Sequence, residues 1–233
     1  MIFDGTQKLI GTGAQAEVVL YQGYAYKIYK SSYPSEWIAF EKRQQQAVNK
    51  AGLSPVRYYD TDDDHIIKMD YVEGCQLEKI AITGDLTSFD IMADAFRFVH
   101  GKSIEGIDIP PFIATAGMGL TDEAKSFVLP VIEDLCSKTD SCVCHLDMHF
   151  LNIMVPEDLS SFTLIDWMNA RLAPPVFDYA RTYVIFEEFS KEALEIYTEK
   201  VLPDMWDTGV SAKDFEDALE VSRIIRNREK GLK

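Results

Sequence analysis

Apolar and polar positions alternate with a period of two through the first thirty residues and then shift to helical spacing, which predicts a small sheet ahead of a mainly helical body. Lys8-Leu9-Ile10, Glu17-Val18-Val19-Leu20-Tyr21 and Tyr24-Ala25-Tyr26-Lys27-Ile28-Tyr29 read as three strands of an antiparallel meander, joined by Gly11-Thr12-Gly13-Ala14-Gln15-Ala16 and by Gln22-Gly23. Over 35–51, Trp37, Ile38, Phe40, Ala47 and Val48 recur among charged residues and stop at Gly52, the pattern of a helix closed by glycine. Residues 56–59 and 65–71 are strand-like around the acidic turn Thr61-Asp62-Asp63-Asp64. Beyond Gly74 the spacing predicts helices near 88–100, 121–137, 178–202 and 212–230. Pro130 is expected to bend or split the second, and Ser211 with Asp214 to form a capping box for the last. One apolar alternation, Ile153-Met154-Val155, a turn at Pro156-Glu157-Asp158, and Phe162-Thr163-Leu164-Ile165, predicts a β-hairpin among those helices. The class is α+β.

Composition narrows the field without choosing a function. With 47% hydrophobic and 26% charged residues over 233 positions, the chain can bury a core, and disordered, fibrous and collagenous classes are excluded. No apolar run is long enough to span a membrane, and Met1-Ile2-Phe3-Asp4-Gly5 lacks the basic-then-apolar pattern of a signal peptide. Four cysteines are too few for a disulfide scaffold, so reduced thiols in a cytoplasm are expected. With 23 Lys and Arg against 38 Asp and Glu, the net charge of −15 disfavours nucleic acid and anionic membranes as partners. It suits a cationic substrate, or simply solubility.

The most specific stretch is Cys144-His145-Leu146-Asp147-Met148-His149-Phe150-Leu151-Asn152, followed past the hairpin by Ile165-Asp166-Trp167. Asn152 opens one hairpin strand and Asp166 closes the other, so antiparallel pairing sets them side by side. An amide oxygen and a carboxylate are hard donors suited to Mg²⁺. Asp147, on the incoming loop, is free to accept a proton from a hydroxyl, which completes a phosphoryl-transfer layout. Gly11-x-Gly13-x-x-Ala16 lets backbone amides approach phosphates, although alone such a loop is more often an ordinary hairpin. Lys27 follows on a strand where Ala25 shares its face and leaves space for a flat base. Glu41, rather than Glu36, is the carboxylate expected to orient that lysine.

Together these residues resemble the protein-kinase-like superfamily: a glycine-rich loop, an Ala-x-Lys strand, a helix glutamate, a His-x-Asp-x-x-x-x-Asn loop and a metal-binding aspartate. His145-Leu146-Asp147-Met148-His149, Ile165-Asp166-Trp167 and Phe177-Asp178-Tyr179-Ala180-Arg181 narrow the likeness to the aminoglycoside phosphotransferase and choline kinase branch. It spans about residues 8 to 186 in the family's order. The resemblance implies a bilobal fold, with an N-lobe over 1–70, a helical C-lobe over 71–233 and a hinge at 71–74. ATP would lie between the lobes, its adenine against Met69, Tyr71 and Val72. Asp147 would be the catalytic base, Asn152 and Asp166 the Mg²⁺ ligands, Asp178 a brace for the catalytic loop, and His145 structural. Three positions depart from the family's pattern: Leu146 stands for a usual glycine, Phe150-Leu151 for a frequent Pro-Gly, and Ala16 for the third loop glycine.

The acceptor is expected to be a small molecule. Asp166 and Asp178 stand twelve positions apart, which leaves little chain for a peptide-docking segment, and no Ala-Pro-Glu follows. By the same resemblance, acidic and aromatic residues of the C-terminal helices would receive a cationic acceptor such as an amino sugar or choline. Glu187, Glu188, Trp206 and Asp207 are the residues expected there, although solvated helix faces read the same way. Only about fifty residues follow the Asp178 motif, which points to a small acceptor or a partial pocket. The run Arg223, Arg226, Arg228, Lys230 and Lys233 is expected to complement the last helix dipole. Three alternatives stand beside this reading: a serine/threonine protein kinase-like enzyme, a non-catalytic nucleotide-binding module, and a zinc site at Cys142, Cys144, His145 and His149. Cys75 and Cys136 read as small buried hydrophobes, and His100 as a packed or capping residue.

Overall fold

Strand β1 (Lys8–Thr12), β2 (Ala16–Tyr21) and β3 (Tyr24–Tyr29) form the expected meander. Its second turn works because Gln22 and Gly23 both take positive φ (48° and 80°), the backbone twist a two-residue hairpin needs. Helix α1 (Ser35–Lys50) follows, and Gly52 takes the left-handed conformation (φ 68°) just past its end. Strands β4 (Tyr58–Tyr59) and β5 (Ile66–Asp70) complete an antiparallel sheet in the order β1-β2-β3-β5-β4. Ala16, Tyr29 and Ile67 on one sheet face bury Ile38 of α1.

The computed structural model describes residues 3–231; Met1 and Ile2 of the signal-peptide reading and Lys233 of the basic run lie outside the described residues. At Gly74 the chain leaves the sheet with φ 115°, so close to the hairpin that a Cβ would stand 2.1 Å from the Val155 carbonyl oxygen, and no other residue fits there. Next come β6 (Cys75–Gln76), α2 (Glu78–Ala81), α3 (Thr87–His100), α4 (Phe112–Ala116) and α5 (Asp122–Lys138). Strand β7 (Cys142–Cys144) leads into a loop and a 3-10 turn at Phe150–Asn152, then β8 (Ile153–Val155) and β9 (Thr163–Leu164) form the hairpin, with β6 on its other edge. Strand β10 (Arg171–Ala173) pairs with β7, and α6 (Pro175–Phe189), α7 (Lys191–Lys200), α8 (Pro203–Trp206) and α9 (Ala212–Glu229) close the chain.

One core gathers the helices around this hairpin, with Phe96, Met92, Val128, Ile132, Met148, Trp167, Phe177 and Tyr197 all fully or almost fully buried. Ala47 and Val48 of α1 belong to the same core, and Gln44 donates from Nε2 to the Ala170 carbonyl at 2.7 Å. Helix α1 is therefore fastened to both the sheet and the helical body, which fixes the crevice between them.

Three local expectations are corrected, and two strands are added. Helix α5 runs unbroken through Pro130; the residue and Ser126, whose carbonyl loses its bond, are both exposed, so water satisfies that carbonyl while Val128, Ile132 and Leu135 hold the inner face. The helix expected over 178–202 starts earlier, at Pro175, and breaks at Ser190, which is extended and accepts from the Ala193 N–H to cap α7. The strand expected over 56–59 keeps only Tyr58 and Tyr59. Strands β7 and β10 were not legible, being three residues each and buried without alternation.

Candidate active site

The sheet's pleat aims Lys27 into the crevice, where its Nζ lies 2.9 Å from Glu41 Oε1. The same Nζ reaches Asp166 Oδ1 at 3.4 Å and Oδ2 at 3.5 Å, bridging 139 residues of sequence. Burial alone would lower the lysine's pKa, but Asp166 and Glu41 outweigh it and hold the ammonium above its ordinary value. Glu41 is only 1% exposed, and it accepts from Lys27, from the Tyr29 hydroxyl and from the Tyr58 hydroxyl at 3.3 Å. Glu36 stands exposed in the first helical turn, away from this network.

The loop after β7 is organised from beneath by Asp178, fully buried in the first turn of α6. Its Oδ2 accepts the His145 N–H at 2.9 Å and its Oδ1 accepts the Leu146 N–H at 2.8 Å. His100 completes the brace, with Nε2 3.0 Å from Asp178 Oδ2; burial works against its charge, but the aspartate raises its pKa. Leu146 takes φ 57°, which explains why glycine is usual there; a leucine in this conformation costs about 1 kcal/mol. His145 is fully buried, with Nε2 at 3.1 Å from the Ile165 carbonyl and its ring against Trp167.

Asp147 follows immediately. Asn152 donates from Nδ2 to its carbonyl at 2.9 Å and to its Oδ2 at 3.2 Å, while His149 Nε2 lies 3.6 Å from its Oδ1. Burial would raise the carboxyl's pKa, yet His149, with further help from Arg181 and His145, holds it down to about 2. The Asn152 nitrogen is thus occupied within the loop, which leaves its Oδ1 as the atom offered to a ligand. Ile165 donates to the Asn152 backbone carbonyl at 3.0 Å, placing Asp166 beside it at φ 61°. An amide oxygen and a carboxylate side by side are the donor chemistry of Mg²⁺, so the residues present fit that ion.

Gly11 and Gly13 lie in and just after β1, where Gly13 N–H bonds the Ala16 carbonyl at 2.8 Å. Neither has positive φ, and a Cβ on either would meet only ordinary contacts at 3.5 Å or more, so the fold itself does not demand glycine there. Ala25 is buried and pairs with Met69 across β3 and β5; Tyr71 is exposed and Val72 half-buried as the chain leaves the sheet.

The residues expected to receive a cationic acceptor are not gathered with these. Glu187 and Glu188 lie at the far end of α6, about 14 Å along the helix from Asp178. Glu187 is bound by Arg223 at 2.9 and 3.0 Å, and Glu188 by Arg226 at 3.2 Å and Lys230 at 2.6 Å. Arg223, Arg226 and Lys230 therefore answer these carboxylates rather than only the helix dipole. Trp206 packs edge-on against Phe215, and Asp207 is exposed. The zinc grouping also dissolves: His145 and His149 turn elsewhere, and His100 joins Cys142 and Cys144 instead, with all three ligand atoms within 4.8 Å. Cys136 is exposed and Cys75 half-buried, not buried as expected; all four cysteines are free thiols. Sequence reasoning missed Tyr29 and Tyr58, and read His149 as a zinc candidate rather than as the neighbour of Asp147. Tyr29 was readable, two positions from Lys27 on one strand face; Tyr58 arrives from another strand and carries no local signal.

Residues 120–209 match the model of the phosphotransferase enzyme family. That stretch holds the loop from His145 to Asn152 together with Asp166 and Asp178. Among curated proteins, none matches the chain's sequence. Solved structures extend the likeness to the whole chain. Aminoglycoside phosphotransferase APH(3'')-Id from Streptomyces rimosus superposes with a TM-score of 0.68 at 15% identity, over 95% of this chain and 93% of its own. Choline kinase LicA from Streptococcus pneumoniae gives 0.60 at 20% identity, over 95% and 82%. A thermostable mutant of aminoglycoside phosphotransferase APH(4)-Ia, in ternary complex with AMP-PNP and hygromycin B, gives 0.63 at 13%, over 97% and 88%. The fold is that of these structures, and residues 120–209 carry the phosphotransferase family's pattern. Among the described residues, no helix is long and apolar enough to cross a membrane.

Proposed function

We propose that the chain is an ATP- and Mg²⁺-dependent kinase that transfers the γ-phosphoryl group to a hydroxyl of a small molecule, in the reducing environment its four free thiols suit. The observation that carries this reading is the Lys27 ammonium, held by Glu41 at 2.9 Å and poised 3.4 Å from Asp166 across the crevice. The nucleotide lies between a lobe over 1–70 and a lobe over 71–233, joined at 71–74. Gly11 and Gly13 put no side chain between the loop and its phosphates, Lys27 meets the phosphate oxygens, and Ala25, Met69, Tyr71 and Val72 receive the base. AMP-PNP in the APH(4)-Ia complex supports a nucleotide in this fold.

Asn152 and Asp166 would hold Mg²⁺, whose chemistry there would be to neutralise charge on the transferring group. Asp147 accepts the proton of the acceptor hydroxyl; that oxygen bonds to the γ-phosphorus as the bond to the bridging oxygen breaks, and ADP departs. The low pKa keeps the Asp147 carboxyl ionised at neutral pH and so able to receive that proton. Asp178 and His145 position the loop. The cationic preference expected of the acceptor loses support, because Glu187 and Glu188 are already paired with α9 and its following turn.

The test is Mg·ATP turnover against hydroxylated small molecules, cationic, neutral and anionic, with a generic peptide alongside. Phosphorylated product from a small acceptor, abolished by Lys27→Ala, is expected. Labelling of the peptide alone, or turnover indifferent to Lys27, overturns the proposal.

A further inference from the structure

Between the catalytic loop and α9 lies a small cleft of about 60 Å³ lined by Arg171, Arg181 and Arg228, with Glu229 as its one carboxylate among the described residues and Leu146 on its wall. Three cations against one anion is a local balance opposite to that of a chain with net charge −15. Arg181 is only 5% exposed. Its Nη2 donates to Glu229, but its Nε and Nη1 are buried with no partner among the described residues. A buried guanidinium keeps its charge, and N–H groups hidden from water without acceptors are an arrangement that calls for an outside partner.

The neighbours do not supply one. Glu229 is shared with Arg228 Nη2 at 3.4 Å and Arg226 Nη1 at 3.8 Å, so it cannot neutralise Arg181 alone. Arg171 is aimed by neutral groups: Nε donates to Thr115 Oγ1 at 2.7 Å, and Nη1 to the Met168 and Ala170 carbonyls at 3.1 and 2.7 Å. Those bonds orient its charge without cancelling it. Burial first, and then repulsion from Arg228, push Arg171 down to about 10, as befits two cations lining one space.

We infer that this cleft binds an oxyanion, a carboxylate or phosphate group of a small molecule, on the unpartnered edge of Arg181 with Arg171 and Arg228 around it. The site as such stands on the arginine geometry; its role rests on the kinase reading above. Leu146 adjoins Asp147, so a molecule anchored here by its anionic end lies beside the catalytic loop. The anion is then either part of the acceptor or a separate effector.

Inorganic phosphate titrated into the full chain, at ionic strength held constant with chloride, is the direct probe, read by calorimetry and by thermal shift. Saturable binding is expected, weakened roughly tenfold or more by Arg181→Gln and by Arg228→Gln, and unchanged by Lys27→Ala, which removes the crevice's own cation. Arg228 sits at the rim, so its variant still folds if the buried Arg181 variant does not. No binding beyond that of chloride, or equal binding by Arg228→Gln, overturns the inference. Where an acceptor is turned over, phosphate that raises its KM at constant kcat identifies the acceptor's own anionic group, and phosphate that alters kcat without competing identifies an effector. Failure of turnover leaves the phosphate titration intact, so the two readings fail separately.

Discussion

Two sets of carboxylates, alike in sequence, meet different fates in this molecule. Glu41, Asp147 and Asp178 receive donors fixed by the fold: backbone N–H groups, an ammonium on a sheet strand, tyrosine hydroxyls, an asparagine amide. Glu187 and Glu188 meet the ends of long arginine and lysine side chains from α9 and its following turn, with water nearby. The first set is held by groups that cannot move away, so each substitution leaves a fixed donor exposed or mispaired. The second can re-form its pairs or release them to solvent. Residue type does not separate active-site from surface acids; the rigidity of what faces them does.

The comparison breaks most sharply at the reacting groups. Asp147→Ala and Asp166→Ala are each expected to lower kcat by roughly 10³-fold or more while far-UV circular dichroism is retained. Near-normal turnover in both would remove these carboxylates from the chemistry. Next comes Asp178→Asn, which offers one acceptor where two backbone N–H groups now bind separate oxygens. The amide NH₂ then faces an N–H, and His100 loses its carboxylate. A loss of about 3 kcal/mol in urea denaturation is expected, with activity falling in parallel. An unchanged midpoint would show that the loop organises itself without the brace.

How far these features were legible follows the same division. The meander, α1, the hairpin and the capping box at Ser211 rest on period, glycine and cap signals that act over a few residues, and they stand as expected. The loop chemistry from His145 to Asp166 was readable because its spacing is short. Contacts that join distant segments were not. Tyr58 reaching Glu41, His100 reaching Asp178, and Arg171 with Arg181 and Arg228 around one cleft are set by topology, which no local pattern encodes. Glu187 and Glu188 misled for the converse reason: an acidic pair on an amphipathic helix looks the same whether it awaits a ligand or already faces another helix's arginines.

A pH titration sharpens the comparison within the first set. His100 has its folded pKa raised above the ordinary 6.5, against burial, by Asp178. The pair's stabilisation is therefore fully present below about pH 6.5 and is lost as pH rises through the raised value. His145, buried beside it, has a lowered pKa and acts in the opposite sense, destabilising the fold as the pH falls. Comparing wild type with His100→Gln isolates the first effect. Between about pH 6 and about pH 8.5 the wild type's urea midpoint is expected to fall relative to the variant's. Parallel curves would mean that Asp178 braces the loop without a charged histidine.

The smallest effect belongs to the second set, and its smallness is the point. Glu187 is 41% exposed at the side chain and Arg223 is 38%, so their two hydrogen bonds lie in water where Coulomb attraction is screened and ordering two long side chains costs entropy. Glu187→Gln keeps an acceptor oxygen for Arg223 and removes only the charge. A change of about 0.5 kcal/mol or less is expected in the urea midpoint, further reduced at high salt. If Glu187 served a cationic acceptor, the same substitution would instead raise that acceptor's KM several-fold at constant kcat, because the lost charge would be missed on binding. A small stability change with unaltered KM places Glu187 with the surface pairs; a selective rise in KM for cationic acceptors would return it to the site, and would favour a separate effector over the acceptor as the source of the anion at Arg181.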